Sequence, residues 1–146
     1  MEKKIWLDMD GTLVDLYSVE NWLDKLRTYD ASPYKEAKAL VNFSDLAKTI
    51  KKLQAQGWQV NIASWLSKES NDSYDKAVAS AKLEYLQKHF PSVRFNEIKI
   101  MKYGTPKSNV GNGILFDDEK KNRDEWHGIA CSQKNLVKKM KTLLTK

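Results

Sequence analysis

Apolar residues recur along this chain in two alternating rhythms. Short continuous runs stand at Ile5-Trp6-Leu7, Val60-Asn61-Ile62-Ala63 and Ile114-Leu115-Phe116. Such runs read as strands buried on both faces, the habit of a parallel sheet. Between them the spacing lengthens to three and four. Val19, Trp22, Leu23 and Leu26 predict a helix over 17–26, and Pro33 suits the first turn of a second, ending near Val41. Leu46, Ile50 and Leu53 form the buried face of a third helix, with Ser44 as its cap and Gly57 as its stop. Tyr74, Ala77, Val78, Ala81 and Tyr85 form the stripe of a fourth, capped within Asn71 to Ser73. Val93 to Ile100 alternates loosely as a further strand, and Gly128 to Cys131 suits a last one. Leu136, Met140, Leu143 and Leu144 mark a closing helix from about Gln133.

Strands alternating with helices predict an α/β fold: a three-layer, Rossmann-like parallel sheet covered on both faces. At 146 residues the chain suits a single domain, 1–146, with one core. The one irregular interval, about 17–42, reads as a small helical cap inserted after the first strand.

Composition narrows the class. Apolar residues make up 41% and charged residues 30%, which fits a globular chain and excludes a disordered one. No apolar run approaches the ~20 residues that span a membrane, and Met1 to Lys4 leads directly into the first strand without a leader, so a cytoplasmic protein is expected. The single cysteine, Cys131, excludes an internal disulfide and reads as a core filler. The net charge of +6 suits an anionic substrate or a nucleic acid. Many of its lysines fall on helix faces, as in Lys138-Lys139-Met140-Lys141, where solvent is the simpler partner.

The candidate chemistry stands at the strand ends. The first strand runs out in Asp8-Met9-Asp10-Gly11-Thr12, the second in Ser64, and Ile114-Leu115-Phe116 in Asp117-Asp118, with Lys107 in a loop ten residues before Asp117. In a parallel sheet these ends meet at one edge, where open α/β sheets bind ligands. Carboxylates so close repel unless a cation lies between them, and Mg²⁺ is the natural candidate. Gly11 permits a turn that a residue with a Cβ resists. Lys102, near the end of a strand, competes with Lys107 for the role of the site's lysine.

This series resembles the four motifs of the haloacid dehalogenase-like superfamily: Asp8-Met9-Asp10-Gly11-Thr12 the first, Ser64 the second, Lys107 the third and Asp117-Asp118 the fourth. Within that superfamily the chain is most similar to the 5′(3′)-deoxyribonucleotidases, through the Asp-Met-Asp-Gly opening, Leu13-Val14-Asp15 and the Lys107 to Asp117-Asp118 spacing. The resemblance implies a Mg²⁺-dependent phosphomonoesterase. Asp8 is then the nucleophile that forms an aspartyl-phosphate, and Asp10 the general acid and base. Ser64, Lys107, Gly11 and Thr12 are phosphate-binding positions. The metal set is Asp8, Asp10 through its carbonyl, Asp117 and Asp118. Trp65 and Tyr17 are candidates for stacking on a nucleobase, whereas Trp22 lies on an apolar stripe and suits core packing equally. The expected substrate is a nucleoside monophosphate. Nucleic-acid 5′ or 3′ ends are the alternative, and a binding module that merely kept the fold is disfavoured by the two aspartates of the first motif.

Overall fold

The computed structural model describes residues 2–145. Five strands, β1 (Lys4–Leu7), β4 (Gln59–Trp65), β5 (Ile98–Met101), β6 (Ile114–Phe116) and β7 (Ile129–Cys131), form one sheet in the order β5-β4-β1-β6-β7. Every pairing in it is parallel. The most apolar runs, β1 and β6, lie inside the sheet, and Ile5, Trp6, Leu7, Leu115 and Phe116 are essentially inaccessible to water. Ile5 pairs with Val60 and Ile114, and Trp6 with Asn61 and Leu115, so alternate rows point to opposite faces.

The row of Ile5, Leu7, Val60, Ile62, Ile114 and Phe116 belongs to the main core, which α3 (Phe43–Ala55), α6 (Leu136–Lys141) and the end of α4 (Asp72–His89) cover. Leu46, Ile50 and Leu53 of α3 are fully buried, at about 1.5–3 kcal/mol each. The opposite row, Trp6, Ala63 and Leu115, packs with Trp126 under a thinner layer: a 3₁₀ turn over Lys107–Val110 and the six-residue α5 (Lys120–Glu125). Two indoles fasten it, Trp6 Nε1 donating to Asn112 O and Trp126 Nε1 to Gly113 O, each at 3.0 Å.

Several expected boundaries shift for local reasons. Asn42, not Ser44, caps α3: its Oδ1 accepts from Asp45 N at 3.0 Å while Phe43 is already helical. Gly57 stands just past the end with φ +90°, as a left-handed helix stop requires. Val93 to Phe95 is not strand. Asn96 instead clasps β4, its Oδ1 accepting from Val60 N at 2.8 Å and its N–H donating to Val60 O at 3.0 Å, and pairing proper begins at Ile98. In α4 the stripe expected from sequence holds except at Ala77, which is exposed; Lys82 takes the buried place.

The excursion after β1 holds the expected pair of helices within 17–42, but both are shorter than the spacing predicts. Its neck is a two-stranded antiparallel ribbon, β2 (Val14–Asp15) on β3 (Lys38–Ala39). Asp15 accepts from Ser18 N and Oγ, which winds Leu16–Ser18 into a 3₁₀ turn. Asn21 then adopts a left-handed conformation, so the helix shrinks to α1 (Trp22–Arg27), none of whose residues is buried. α2 (Ser32–Glu36) has Pro33 in its first turn as expected, and stops early because Lys38 joins the ribbon. A second apolar cluster, including Leu16, Tyr34, Tyr74 and Val78, seats the excursion on α4.

Candidate active site

The ends of β1, β4 and β6 meet at the carboxyl edge of the sheet. Asp8 and Asp117 are buried there because the strands beside them continue the ladder: Asp8 N donates to Phe116 O, and Asp117 N to Cys131 O. Lys107, 3% exposed at the start of its 3₁₀ turn, bridges the two, with Nζ 2.7 Å from Asp8 Oδ1 and 2.6 Å from Asp117 Oδ2. Lys102 is exposed and pairs with no carboxylate among the described residues.

The turn after β1 is built to bring the first and last aspartates together. Thr12, Leu13 and Val14 all donate their N–H groups to Met9 O, and Gly11 N donates to Val14 O. Gly11 has φ +81°, and a Cβ on it would run into the Asp118 carboxylate. Thr12 Oγ1 donates to Asp8 Oδ2 at 2.9 Å and accepts from Asp118 N at 3.1 Å. The backbone donors of Gly11 and Thr12, positions expected to bind phosphate, are engaged within the turn in this structure. Asp117 is further secured by Glu119 N, Asn122 Nδ2 and Arg123, whose guanidinium takes the Asp117 carbonyl at 3.0 Å.

One oxygen each of Asp8, Asp117 and Asp118 lies within 4.8 Å of the others. Charge is crowded here. Burial, contact with Asp8 and the charges of Asp8 and Asp117 push Asp118 up to about 8. Burial and the Asp8 charge also raise Asp117 against the pull of Lys107. Burial disfavours the Lys107 ammonium, but Asp8 and Asp117 outweigh that and hold its pKa above the ordinary lysine value. Three converging carboxylates short of positive charge are an oxygen donor set suited to a hard divalent cation. The Asp10 carboxylate is not among them, so only its carbonyl is left for the metal role read from the sequence.

Asp10 and Ser64 meet a residue that the sequence reading did not single out. Lys82, from α4, donates to Asp10 Oδ2 at 2.9 Å, to Ser64 Oγ at 2.6 Å and to Trp65 O at 2.7 Å. A signal for it existed: a lysine between Val78 and Tyr85 interrupts an apolar stripe, and a charge in such a place needs a partner.

A cavity of about 500 Å³ opens over Asp8, Asp10 and Lys107. Tyr17, Trp22, Tyr29, Tyr34, Trp65 and Tyr103 line it. Trp65 is the last residue of β4; its indole donates to Thr105 O at 2.8 Å, and its ring lies 5.0 Å from Tyr103. Tyr17 is half-exposed and packs edge-on to Trp22 at 5.1 Å, so Trp22 belongs to the cavity wall and not to the core. Burial, then the charges of Asp10 and Asp118, raise the Tyr17 phenol above its ordinary range. Ser67, also lining the cavity, is buried against the Tyr34 phenol.

No protein-family model and no curated protein matches this sequence. Among solved structures it is similar to the crystal structure of D,D-heptose 1,7-bisphosphate phosphatase from Burkholderia thailandensis, with a TM-score of 0.51 and 14% identity over 99% of this chain and 100% of that one. The two chains share a fold. It is the Rossmann-like parallel α/β fold expected from the alternation of strands and helices. No helix among the described residues is long and apolar enough to cross a membrane.

Proposed function

We propose that this protein is a Mg²⁺-dependent phosphomonoesterase that works through an aspartyl-phosphate on Asp8. The observation that carries this reading is the setting of Asp8: a buried carboxylate on the cavity floor, 2.7 Å from the Lys107 ammonium and grouped with Asp117 and Asp118.

Attack of a carboxylate on a phosphate dianion is opposed by repulsion, which fixed positive charge offsets. Lys107 supplies one such charge. Asp8, Asp117 and Asp118, with the Asp10 carbonyl, would hold Mg²⁺, which when bound neutralises phosphate and carboxylate charge together. An Asp8 oxygen bonds to phosphorus as the ester P–O bond breaks, and Asp10 gives its proton to the departing oxygen. Water then attacks the phosphorus of the acyl phosphate while Asp10 takes a proton from it, which frees inorganic phosphate and the Asp8 carboxylate and restores the Asp10 acid.

The cavity supports a nucleoside monophosphate as substrate. Its volume suits one small molecule, and its aromatic walls suit a planar base. A structurally similar protein is a D,D-heptose 1,7-bisphosphate phosphatase, which supports the reaction type and leaves the substrate open to test.

Hydrolysis of p-nitrophenyl phosphate and a panel of nucleoside and sugar monophosphates tests both parts. Turnover is expected to stop with a chelator and return with Mg²⁺, and nucleotides are expected to lead the panel. Full turnover in a chelator sinks the metal assignment, and a sugar phosphate in first place sinks the substrate one.

A further inference from the structure

Lys82 is 1% exposed, and each of its three ammonium hydrogens has an acceptor: Asp10, Ser64 and the Trp65 carbonyl. Its Nζ lies 5.1 Å from the centre of the Tyr34 ring, whose π face further favours the cation. No donor remains for a substrate, so Lys82 has no free means of touching one. Burying an ammonium is costly, and an apolar side chain of the same length would fill this place on α4 more cheaply. Stability alone does not account for a lysine here.

The geometry points to Lys82 as a positioning residue that holds the Asp10 carboxylate against the end of β4 and away from the Asp8–Asp117–Asp118 cluster. Among the described residues no other side chain hydrogen-bonds the Asp10 carboxylate. It follows Asp8 by two positions in a turn that already brings Asp118 up to Gly11. Released from Lys82, it would be drawn toward any cation held by the three acids. A carboxylate engaged as a fourth ligand has lost the freedom to carry a proton. The same ammonium also fixes the role of Ser64. Because Ser64 Oγ accepts from Lys82, its own hydrogen must point elsewhere. The inference rests on the phosphatase reading for its catalytic consequence but not for its geometric one, and the two separate experimentally.

The full chain, stripped of metal, is titrated with Mn²⁺ by calorimetry as wild type, Lys82→Met and Lys82→Gln, with melting temperature as the check on folding. Lys82→Met is expected to tighten Mn²⁺ by about fivefold or more, because the freed carboxylate adds to the ligand charge count. Lys82→Gln loses the charge but keeps a donor, and is expected to stay within about twofold of wild type. Unchanged affinity in Lys82→Met overturns the proposal. Equal tightening in both variants also overturns it, since charge alone then sets the affinity. If Lys82→Met does not fold, Lys82→Gln decides by itself, and a fivefold tightening there overturns the restraint. On p-nitrophenyl phosphate, Lys82→Met is expected to lower kcat about tenfold or more, with little change in KM, and to add nothing to Asp10→Asn, as for two residues acting as one unit. Multiplying effects would show Lys82 acting independently of Asp10 and overturn the proposal. A wild type that hydrolyses no phosphomonoester would sink the phosphatase reading, and the Mn²⁺ titrations would still judge Lys82.

Discussion

The floor and the roof of the cavity are made in opposite ways. On the floor, Asp8, Lys107 and Asp117 are buried, and each is held by two or more hydrogen bonds from different elements. On the roof, α1 buries none of its residues, while Tyr17 and Leu23 are 46% and 41% exposed. The floor can keep charged groups at fixed separations because the sheet supports it, and electrostatic help to a reaction depends on such preorganisation. The roof is held mainly by a small apolar cluster against α4 and by a two-residue ribbon, so its local stability is low. Under the proposed function, reaction falls to the floor and selection of substrate to the roof, so a variant of one should leave the other intact.

The largest effect is expected on the floor. Asp8→Asn replaces the proposed nucleophile with an amide and should take turnover below detection with every substrate, while the melting temperature changes little. Asp10→Asn should cost about 10²- to 10⁴-fold in kcat, the range typical of lost proton transfer. Wild-type rates in Asp8→Asn would exclude the covalent route.

Next comes the lysine of the floor. Lys107→Met leaves Asp8 and Asp117 facing each other without their shared cation, and breaking a buried pair in this way costs about 3–5 kcal/mol. It should therefore lose both stability and activity. Lys102→Met, at an exposed position, should stay within about 0.5 kcal/mol of wild type and keep its rate. A larger loss of rate in the Lys102 variant reverses the assignment.

The roof should respond in KM and only for the right substrate. Trp22→Ala and Tyr17→Ala remove aromatic surface whose stacking on a base is worth about 1–3 kcal/mol. They should raise KM for a nucleoside monophosphate by about tenfold, yet leave kcat for p-nitrophenyl phosphate near wild type. Equal losses on both substrates would join roof to floor and end the comparison.

A further effect is one of pH on stability without metal. The Asp118 carboxyl is raised from 3.8 to about 8, so between these values the folded chain holds a proton that the unfolded chain has released. Stability should accordingly fall as pH rises through that window. Mg²⁺ needs the ionised carboxylate, so it should raise the melting temperature more at pH 8.5 than at pH 6. Asp118→Asn should flatten the slope. A slope of the opposite sign would show that Asp118 is not crowded by its neighbours.

The floor was mostly legible in the sequence and the roof mostly was not, for a physical reason. Ile5-Trp6-Leu7 and Ile114-Leu115-Phe116 are apolar on both faces because they are interior strands, and a parallel sheet then dictates that Asp8 and Asp117 emerge on the same edge. Periodicity likewise identified Leu46, Ile50 and Leu53. By contrast, the ribbon of Val14–Asp15 with Lys38–Ala39 joins positions far apart in sequence through two residues each, too short for any pattern. The helix expected over 17–26 fails where Asp15 turns back to cap Ser18 and Asn21 goes left-handed, both choices of single polar residues. Lys82 was missed because long polar residues on helices are counted as solvated. Only its place on the stripe between Val78 and Tyr85 distinguished it.

The same ribbon has a consequence for how such a protein can diversify. The chain leaves the sheet domain at Val14–Asp15 and returns at Lys38–Ala39, side by side and in register. Whatever is spliced between those two points begins and ends at the same spot, so its length and shape can change without moving β1 or the aspartates behind it. The neck works as a socket. An exchange of the segment between Asp15 and Lys38 is therefore expected to leave Asp8 and Asp117 where they stand.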